Sequence, residues 1–356
     1  MDSFIFGDRF KIMVFGSSHG PFVGVEVFGC PAGVKVSKEN VQKWLDRRKP
    51  GQSNLTSRRQ EDDEAIIESG IDNGRTTGGT IRIIVKNKDT RSKDYEKFST
   101  TPRPGHADYP AFVKYGKVEG GSGVFSGRMT AAFVMAGAVA KKLLEEKGIS
   151  TLAFSRQIGK VQCGTGIEDK ATEKGTYSNV ARCPDEKTAK LMEKEIEKAR
   201  DDGDSVGGVI ECRVTGIGAG EGEPMFASIE SRISQAMFAI PAVKGIEFGS
   251  GFAGSALKGS QNNDEYIVKN DKVSAKTNNS GGILGGLTSG MPIVFRVAIK
   301  PTSSIFKKQQ TVNLSTMKSE ELKIEGRHDP CIAIRAVPVV ECMAAVCLAD
   351  IILSKR

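Results

Sequence analysis

Three bends of the chain set a histidine beside glycine, proline or charged residues. They are Gly16-Ser17-Ser18-His19-Gly20, Arg103-Pro104-Gly105-His106 and Arg327-His328-Asp329-Pro330, and they contain all three histidines of the sequence. Histidine titrates near neutrality and suits proton transfer, and small neighbours leave room for a ligand. A single histidine of this kind could instead only hydrogen-bond the backbone. The shared setting of the three bends predicts one common site, with His19, His106 and Asp329 as its acid–base groups.

The third bend places a cation and a carboxylate two residues apart, just before the last long apolar segment. Because Pro330 keeps the chain from coiling early, we expect Arg327 and Asp329 to be presented from a turn. A buried helix over residues 337–353 is predicted behind that turn. We expect the side chain of His328, next to Asp329, to point elsewhere and to take no part in the chemistry.

Arginines lie at predicted helix ends and in bends rather than along a solvated helix face. A guanidinium group binds phosphate or carboxylate with two parallel hydrogen bonds, and loops commonly carry binding sites. Each arginine alone could be ordinary surface charge, but together they predict a pocket for a multiply anionic ligand. The set comprises Arg47, Arg48, Arg58, Arg59, Arg103, Arg128 and Arg327.

Two further stretches could hold phosphate through backbone amides and hydroxyls, namely the glycine-rich residues 280–286 and Lys300-Pro301-Thr302-Ser303-Ser304. Such stretches are typical of anion nests but are weak signals alone. The sequence contains neither a Walker loop nor a GxGxxG fingerprint before a helix. Histidines and cysteines never fall at metal-ligand spacing and no GxSxG elbow is present, so we expect no metal and no serine nucleophile.

The elements that must position these bends are strands and helices in irregular order. Apolar periodicity predicts a helix capped by Ser37, a solvated helix over residues 184–200 and a shorter helix from Ser228. A helix from Ser126 to about Leu144 is apolar on all sides and therefore belongs inside the protein. Strands are predicted over residues 11–15, 23–28, 80–85, 206–214, 245–248 and 293–299.

Two buried helices among many strands predict a layered α+β domain rather than a doubly wound parallel sheet. No shift in composition marks a linker, so residues 1–356 are expected to form a single domain. The long connection over residues 86–123 is expected to be functional or mobile, because few ordinary linkers are so long.

The overall composition excludes some classes of protein. The 51 Lys and Arg residues exceed the 43 Asp and Glu residues by 8, which fits an anionic small molecule as well as nucleic acid. Against nucleic acid, the aromatic residues are not interleaved with the basic stretches as stacking platforms would be. The apolar residues 337–353 contain Glu341 and Asp350, and no signal peptide is recognisable. We therefore expect a cytoplasmic protein that does not enter a membrane.

The motifs together resemble the chorismate synthase family over nearly the whole chain. The most specific blocks are Gly16-Ser17-Ser18-His19-Gly20, residues 120–137 with Ser126-Gly127-Arg128-Met129-Thr130, and Arg327-His328-Asp329-Pro330-Cys331 through Pro338 and Glu341. Supporting blocks are Asp46-Arg47-Arg48-Lys49-Pro50-Gly51, Arg103-Pro104-Gly105-His106-Ala107-Asp108-Tyr109, Gly259-Ser260-Gln261-Asn262 and residues 300–304.

This resemblance implies an anti-1,4 elimination that converts 5-enolpyruvylshikimate 3-phosphate to chorismate and phosphate. The family uses reduced FMN although the reaction has no net redox change. Its fold is a β-α-β sandwich, in which antiparallel sheets surround a central helical layer. Its members usually assemble as tetramers, so a homotetramer is expected here.

The resemblance also assigns roles to single residues. His19 would protonate the departing phosphate, His106 would stabilise the reduced flavin, and Asp329 would act through the flavin's central nitrogen in removing the ring proton. The substrate would be bound by Ser18, Arg48, Arg103, Arg128 and Arg327. The flavin would be lined by Val124, Phe125, Ser126, Pro241, Ala242, Gly285, Lys300, Pro301, Thr302, Ser303, Ser304 and Arg327.

Some positions depart from the family pattern. Asn54 stands where many members have arginine, so one anion contact could shift to Arg58 or Arg59. Pro241 is often asparagine, and Val124 and Phe125 replace polar residues of some relatives.

Two other functions stay open at this point. One is a basic nucleic-acid-binding protein, and the other is a flavin reductase that uses a pyridine nucleotide such as NADPH. Some relatives reduce their own flavin, whereas the compact length of this chain favours dependence on an outside reductant.

Overall fold

The computed structural model describes residues 2–57, 59, 61–88, 97–164, 166–167, 171–326 and 328–354. Two of the predicted site residues, Arg58 and Arg327, therefore lie outside the described residues.

The strands are, in chain order, Ile5–Phe6 (β1), Lys11–Gly16 (β2), Phe22–Phe28 (β3), Ile66–Ser69 (β4), Ile71–Asp72 (β5), Arg75–Thr76 (β6), Ile81–Lys86 (β7), Ser150–Ile158 (β8), Val161–Gln162 (β9), Gly208–Thr215 (β10), Ala219–Gly222 (β11), Val243–Phe248 (β12), Tyr266–Lys269 (β13), Lys272–Ala275 (β14), Ile283–Leu284 (β15), Leu287–Ser289 (β16), Ile293–Ile299 (β17), Gln309–Asn313 (β18) and Lys318–Leu322 (β19). The helices are Lys38–Arg48 (α1), Asp108–Tyr115 (α2), Thr130–Glu145 (α3), Glu173–Thr176 (α4), Glu186–Asp201 (α5), Ile229–Phe238 (α6), Gly251–Gly254 (α7), Gly259–Asn262 (α8) and Ala333–Leu353 (α9). Short 3₁₀ turns cover Asp2–Phe4, Gly120–Phe125, Gly127–Met129 and Met225–Ala227.

Two antiparallel five-stranded sheets enclose the two most apolar helices. One sheet has the order β1-β2-β3-β7-β4 and the other has the order β12-β17-β10-β8-β9. Helix α3 packs on β2, β3 and β7 of the first sheet, α9 packs on β8 and β10 of the second, and the two helices pack on each other. The predicted β-α-β sandwich is confirmed.

The close approach of α3 and α9 depends on a glycine. A Cβ atom at Gly137 would lie only 2.1 Å from the Cβ of Cys342 and 2.7 Å from its Cα. Any larger residue would therefore force the two helices apart in a region where nearly every neighbouring side chain is buried.

A buried ion pair also joins the two helices. Lys141 Nζ on α3 donates to Glu341 Oε1 on α9 at 2.7 Å and to the carbonyl oxygen of Thr151 at 2.7 Å. The second carboxylate oxygen, Glu341 Oε2, accepts from the Ala153 amide and from the Tyr177 hydroxyl. Burial acts to lower the pKa of Lys141, but Glu341 outweighs it and raises that pKa, so Lys141 stays charged at neutral pH.

Most of the predicted elements are confirmed, with differences at their ends. Helix α9 begins at Ala333, four residues before the expected start. Pro338 lies inside the helix, in its second turn, where its missing N–H removes one backbone hydrogen bond. The helix expected from Ser126 begins as a 3₁₀ turn, in which Ser126 Oγ accepts from the Arg128 amide at 3.2 Å. Two elements were not predicted from the sequence: strand β8 over Ser150–Ile158, and helix α2, which lies within the 86–123 connection.

Among the described residues, α9 is the one helix that is long and apolar enough to cross a membrane. Of its most apolar window, 94% is buried inside the protein. Its length and composition are therefore those of the core helix between the two sheets.

The substitution Gly137→Ala should destabilise the protein, because the added methyl group meets the backbone and side chain of Cys342. Overpacking of this kind costs about 1–3 kcal/mol in the free energy of unfolding, which would lower Tm by a few degrees. Gly259→Ala is the matched control, since it also lies in a helix but has nothing within 4 Å of an added Cβ. Equal Tm values for the two variants in a thermal melt would contradict the close crossing.

Candidate active site

Two of the three bends, at residues 103–106 and 328–329, line a cleft with a volume of about 500 Å³. The N-terminal ends of both core helices border it: Arg128 and Thr130 lie at the start of α3, and Ile332, Arg335 and Ala336 lie at the start of α9. Helix N-termini carry unsatisfied amide groups and a partial positive charge. The backbone of these two helix ends therefore already favours anions in the cleft, apart from any contribution of side chains.

Two cleft arginines share one buried carboxylate. Arg48 Nη2 donates to Asp63 Oδ2 at 2.6 Å, and Arg128 Nη1 donates to Asp63 Oδ1. The Arg128 guanidinium also donates through Nε to Asn87 Oδ1 at 2.8 Å. Burial lowers the pKa of Arg48 to about 10, still high enough for a permanent charge at neutral pH. The sequence prediction that Arg48 and Arg128 lie at one site is thus matched by their positions.

Arg59 also lines the cleft, whereas Asn54 does not. Arg59 donates from Nε and Nη2 to Glu61 Oε1 at 3.0 and 2.7 Å. Arg59 is therefore placed in the cleft to supply the anion contact that Asn54 lacks, while Arg58 lies outside the described residues.

Arg103 and His106 form one cluster with Asp108. Arg103 donates from Nε to Asp108 Oδ2 at 2.7 Å and from Nη2 to Asp108 Oδ1 at 2.8 Å. His106 Nδ1 lies 2.7 Å from Asp108 Oδ1 and Ser122 Oγ lies 3.3 Å from His106 Nε2. This arrangement favours an imidazole that donates from Nδ1 to Asp108 and leaves Nε2 as an acceptor.

The charges in this cluster are well defined. Burial lowers the pKa of His106, and this effect exceeds the opposing influence of Asp108, so the imidazole is neutral at neutral pH. Burial would raise the pKa of Asp108, but hydrogen bonds from Arg103 and His106 hold that pKa well below its usual range. Asp108 is therefore an anion that orients both partners.

Asp329 lines the cleft beside the start of α9 and is 8% exposed. Its Oδ1 accepts from the Ser57 amide at 2.8 Å, and its Oδ2 accepts from Arg335 Nη1 at 2.6 Å. Arg335 in turn donates from Nε to the carbonyl oxygen of Arg48 at 3.1 Å. The carboxylate is thus fixed in orientation from two sides.

The expectation that His328 points away from the site is wrong, because both His328 and Asp329 line the cleft. The two residues do not belong to a strand, so the alternation of side chains between opposite faces does not apply. Burial lowers the pKa of His328 to about 4, with Arg103 adding to the effect. Its ring is neutral and packs against Phe306, with ring centroids 6.2 Å apart.

Nearly all the described residues predicted to hold the flavin lie in this cleft. They are Val124, Phe125, Ser126, Pro241, Ala242, Lys300, Pro301, Thr302, Ser303 and Ser304. Residues 239–242 and Val339 provide an apolar wall, while residues 300–304 provide hydroxyl groups and a cation. Thr302 Oγ1 is buried and has no hydrogen-bond partner within the described part of the chain, which suits a polar ligand at this place.

Ser18 and His19 are not among the residues that line the cleft, but their bend is attached to it. Asn87 Nδ2 donates to the carbonyl oxygens of Ser17 and Gly20 at 3.0 and 2.7 Å. The same side chain accepts from Arg128 through Oδ1, so one amide connects the His19 bend with a cleft arginine. Ser18 Oγ lies 3.0 Å from His19 Nδ1.

Gly285 lies apart from the other predicted flavin residues. It sits in the turn between β15 and β16, is exposed, and does not line the cleft of this chain. Arg327 lies outside the described residues.

Sequence reasoning did not single out the groups that hold the predicted residues in place. Asp63, Asn87, Asp108 and Arg335 each contact a predicted site residue directly. A signal was available for Asp63, because the acidic run at residues 61–64 follows the cation-rich loop. Arg335 gave no comparable signal, since it lies within an apolar segment. Across the described residues, no group of three or more His, Cys, Asp or Glu could hold a metal ion.

Comparisons with known proteins agree on one family. A family model described as chorismate synthase matches residues 10–353. The chain is 49% identical over 349 residues to a chorismate synthase of Korarchaeum cryptofilum, covering 97% of this chain and 96% of the relative. It is 46% identical over 352 residues to a chorismate synthase of Thermococcus kodakarensis, covering 98% of each.

A solved structure shows the same fold. The crystal structure of a chorismate synthase superimposes with a TM-score of 0.75 at 29% sequence identity, covering 98% of this chain and 92% of that one. Neither the nucleic-acid-binding alternative nor the flavin reductase alternative receives support from these matches. The chain belongs to the chorismate synthase family.

Proposed function

We propose that this protein converts 5-enolpyruvylshikimate 3-phosphate to chorismate and phosphate by an anti-1,4 elimination in the cleft. The observation that carries the proposal is the presence of Arg48, Arg103 and Arg128 in one cleft with His106 and Asp329. A substrate with one phosphate and two carboxylates needs several fixed cations, and the elimination needs a proton acceptor beside them.

The arginines bind the substrate and hold it in one orientation. Each guanidinium is already fixed by a carboxylate, so little side-chain freedom is lost when an anion binds. The N-terminal ends of α3 and α9 add positive potential to the same region. These features favour a substrate pose in which the reacting bonds are aligned.

The cleft fits FMN as the cofactor of this reaction. Its apolar wall at residues 239–242 suits a flat aromatic ring, and Lys300, Thr302 and Ser304 offer a cation and hydroxyl groups for polar parts. The unpartnered Thr302 Oγ1 is an independent sign that a polar group binds there. When bound, reduced FMN would supply the electron-rich ring on which the family's elimination depends.

Asp329 holds the proton-accepting carboxylate of the site. The Ser57 amide and Arg335 fix both of its oxygens, which keeps the carboxylate oriented toward the cleft. His106 remains neutral and presents Nε2, while Asp108 fixes its tautomer. His19 would donate a proton to the departing phosphate from the bend that Asn87 connects to Arg128.

The further assignments concern the whole molecule. We expect residues 1–356 to act as one domain in a cytoplasmic homotetramer that depends on an outside source of reduced FMN. Exposed apolar side chains support self-association: Phe226 is 95% exposed and Phe252 is 82% exposed. Patches of such side chains are typical of protein interfaces.

The proposed reaction predicts phosphate release from 5-enolpyruvylshikimate 3-phosphate under anaerobic conditions with chemically reduced FMN. Chorismate should form in equal amount, because the elimination makes one molecule of each product. Oxidised FMN alone should give no product, and adding NADPH to it should not restore turnover. Absence of phosphate release with reduced FMN would refute the function.

Asp329→Asn should lower kcat by about 100- to 10,000-fold, because the amide cannot accept the proton. Binding of FMN should change little, since residues 239–242 and 300–304 are unaltered. The measurement is anaerobic turnover together with a flavin titration. Turnover near the wild-type rate would show that Asp329 is not the acceptor.

His19→Ala should also lower kcat by about 100-fold or more, because the leaving phosphate would depart without a proton donor. His328→Ala is the matched control: the neutral His328 ring lines the cleft, and its loss should reduce kcat far less. Both variants should bind FMN in a flavin titration. A larger loss of kcat for His328→Ala than for His19→Ala would reverse the assignment.

A further inference from the structure

We propose that Asp63 is a positioning residue that holds Arg48 and Arg128 side by side as one site for an anionic group of the substrate. The inference rests on the proposed function in so far as that group belongs to 5-enolpyruvylshikimate 3-phosphate. Asp63 itself does not line the cleft, whereas both arginines do. Its effect on the reaction would therefore pass through the two guanidinium groups.

The contacts place Asp63 directly between the arginines. Its Oδ2 accepts from Arg48 Nη2 at 2.6 Å, and its Oδ1 accepts from Arg128 Nη1. The side chain of Asp63 is 0% exposed, and those of Arg48 and Arg128 are 1% and 3% exposed. Because each carboxylate oxygen serves a different arginine, the planar carboxylate fixes the distance and angle between the two guanidinium groups.

The backbone at Asp63 is held as firmly as its side chain. Gln42 on α1 donates from Nε2 to the Asp63 carbonyl oxygen at 3.1 Å, and Gln42 Oε1 accepts from the Ala65 amide at 2.9 Å. Asp63 has a φ of 49°, in the left-handed region that aspartate tolerates better than most residues. Contacts to both its backbone and its side chain thus hold the Asp63 carboxylate in place behind the cleft.

The charge balance explains why one carboxylate serves two arginines. Burial would raise the pKa of Asp63, but Arg48 and Arg128 outweigh it and lower that pKa, so the carboxylate stays ionised well below neutral pH. Arg48, Arg128 and Asp63 together carry a net charge of about +1. Glu61 Oε2 also lies 3.9 Å from Arg128 Nη2, but Glu61 pairs more closely with Arg59 at 2.7 Å, so one positive charge stays in excess, which one bound anionic group would neutralise. Without Asp63, the two buried cations would lose the carboxylate between them and keep only the more distant Glu61 near Arg128, so the guanidinium groups would separate.

A neighbouring carboxylate provides the control. Asp62 precedes Asp63 in the chain, but it is 72% exposed and pairs with Lys88 at 2.6 Å on the surface. Neither Asp62 nor Lys88 lines the cleft. Asp62→Asn therefore removes the same charge from the same loop without touching the arginine pair.

The experiment compares Asp63→Asn, Asp63→Glu and Asp62→Asn with the wild-type enzyme. Thermal melts and FMN titrations first establish that each variant is folded and binds flavin. Binding of inorganic phosphate is then measured by thermal shift. Binding of 5-enolpyruvylshikimate 3-phosphate is measured by titrating this substrate into the complex of the enzyme with oxidised FMN. Steady-state kinetics with reduced FMN give KM and kcat separately.

Asp63→Asn should weaken binding of the substrate by at least about 30-fold, in the range seen when one partner of a buried charge pair is removed. KM should rise more than kcat falls, and the dissociation constant of FMN should stay within about threefold of the wild-type value. Asp63→Glu should recover part of the affinity, since it keeps the charge. Asp62→Asn should behave as the wild type in every measurement.

The inference is overturned if Asp63→Asn is folded and binds substrate and phosphate as the wild type does. It is also overturned if Asp63→Asn lowers the affinity for FMN, the affinity for substrate and Tm together, since Asp63 would then only anchor its loop. A wild-type protein that does not bind phosphate would overturn it as well. Failure of the proposed function gives a different result. The wild type would then show no turnover but would bind phosphate, and Asp63→Asn would not bind phosphate. That pattern would leave the role of Asp63 intact and reject the assigned substrate.

Discussion

The close crossing of two apolar helices is the constraint on which the rest of the structure depends. Gly137 allows α3 to approach Cys342 of α9 at a distance that no larger residue permits. Each helix then covers one sheet, and the Lys141–Glu341 ion pair joins them within the core. Because both helices begin at the same end of this layer, Arg128 and Asp329 both line one cleft.

Each described arginine that lines the cleft forms an ion pair with a carboxylate. Asp63 holds Arg48 and Arg128, Asp108 holds Arg103, and Glu61 holds Arg59. Such pairing lowers the net charge of the empty site and fixes the donors before the ligand arrives. Preorganised donors need no rearrangement during the reaction, and this is the main way in which proteins stabilise charge in an active site.

Arg335 extends this pairing to the chemical step. It donates to Asp329 through Nη1 and to the backbone of Arg48 through Nε, so it connects the carboxylate proposed as proton acceptor with an arginine proposed to bind the substrate. The position of one group therefore depends on the other. Substrate held by Arg48 would lie at a defined distance from Asp329.

Much of this arrangement could be predicted from the sequence. Apolar residues on all sides of α3 and α9 indicated buried helices, and the resemblance of whole motifs identified the residues at 124–126, 241–242 and 300–304. Local patterns were less informative where tertiary contacts decide the outcome. The orientation of His328 depends on packing against Phe306, and the pairing of Asp63 with two distant arginines joins segments that no local spacing relates.

Gly285 is a second case in which tertiary structure, rather than local sequence, decides whether a predicted residue reaches the cleft. The motif assigned it to the flavin, but its hairpin leaves it exposed outside the cleft of this chain. The position of His19 likewise depends on Asn87, which lies far away in sequence and carries no motif of its own. Here the sequence motifs contain most of the residues that line the cleft, whereas the residues that hold them in place are seen only in the structure.

The most direct test of this account is a crystal structure of the protein with oxidised FMN and 5-enolpyruvylshikimate 3-phosphate. The account predicts that anionic groups of the substrate lie within hydrogen-bonding distance of Arg48, Arg103 and Arg128, while Asp63 still bridges Arg48 and Arg128. Substrate bound outside the cleft, or bound in it without contact to these arginines, would contradict the account.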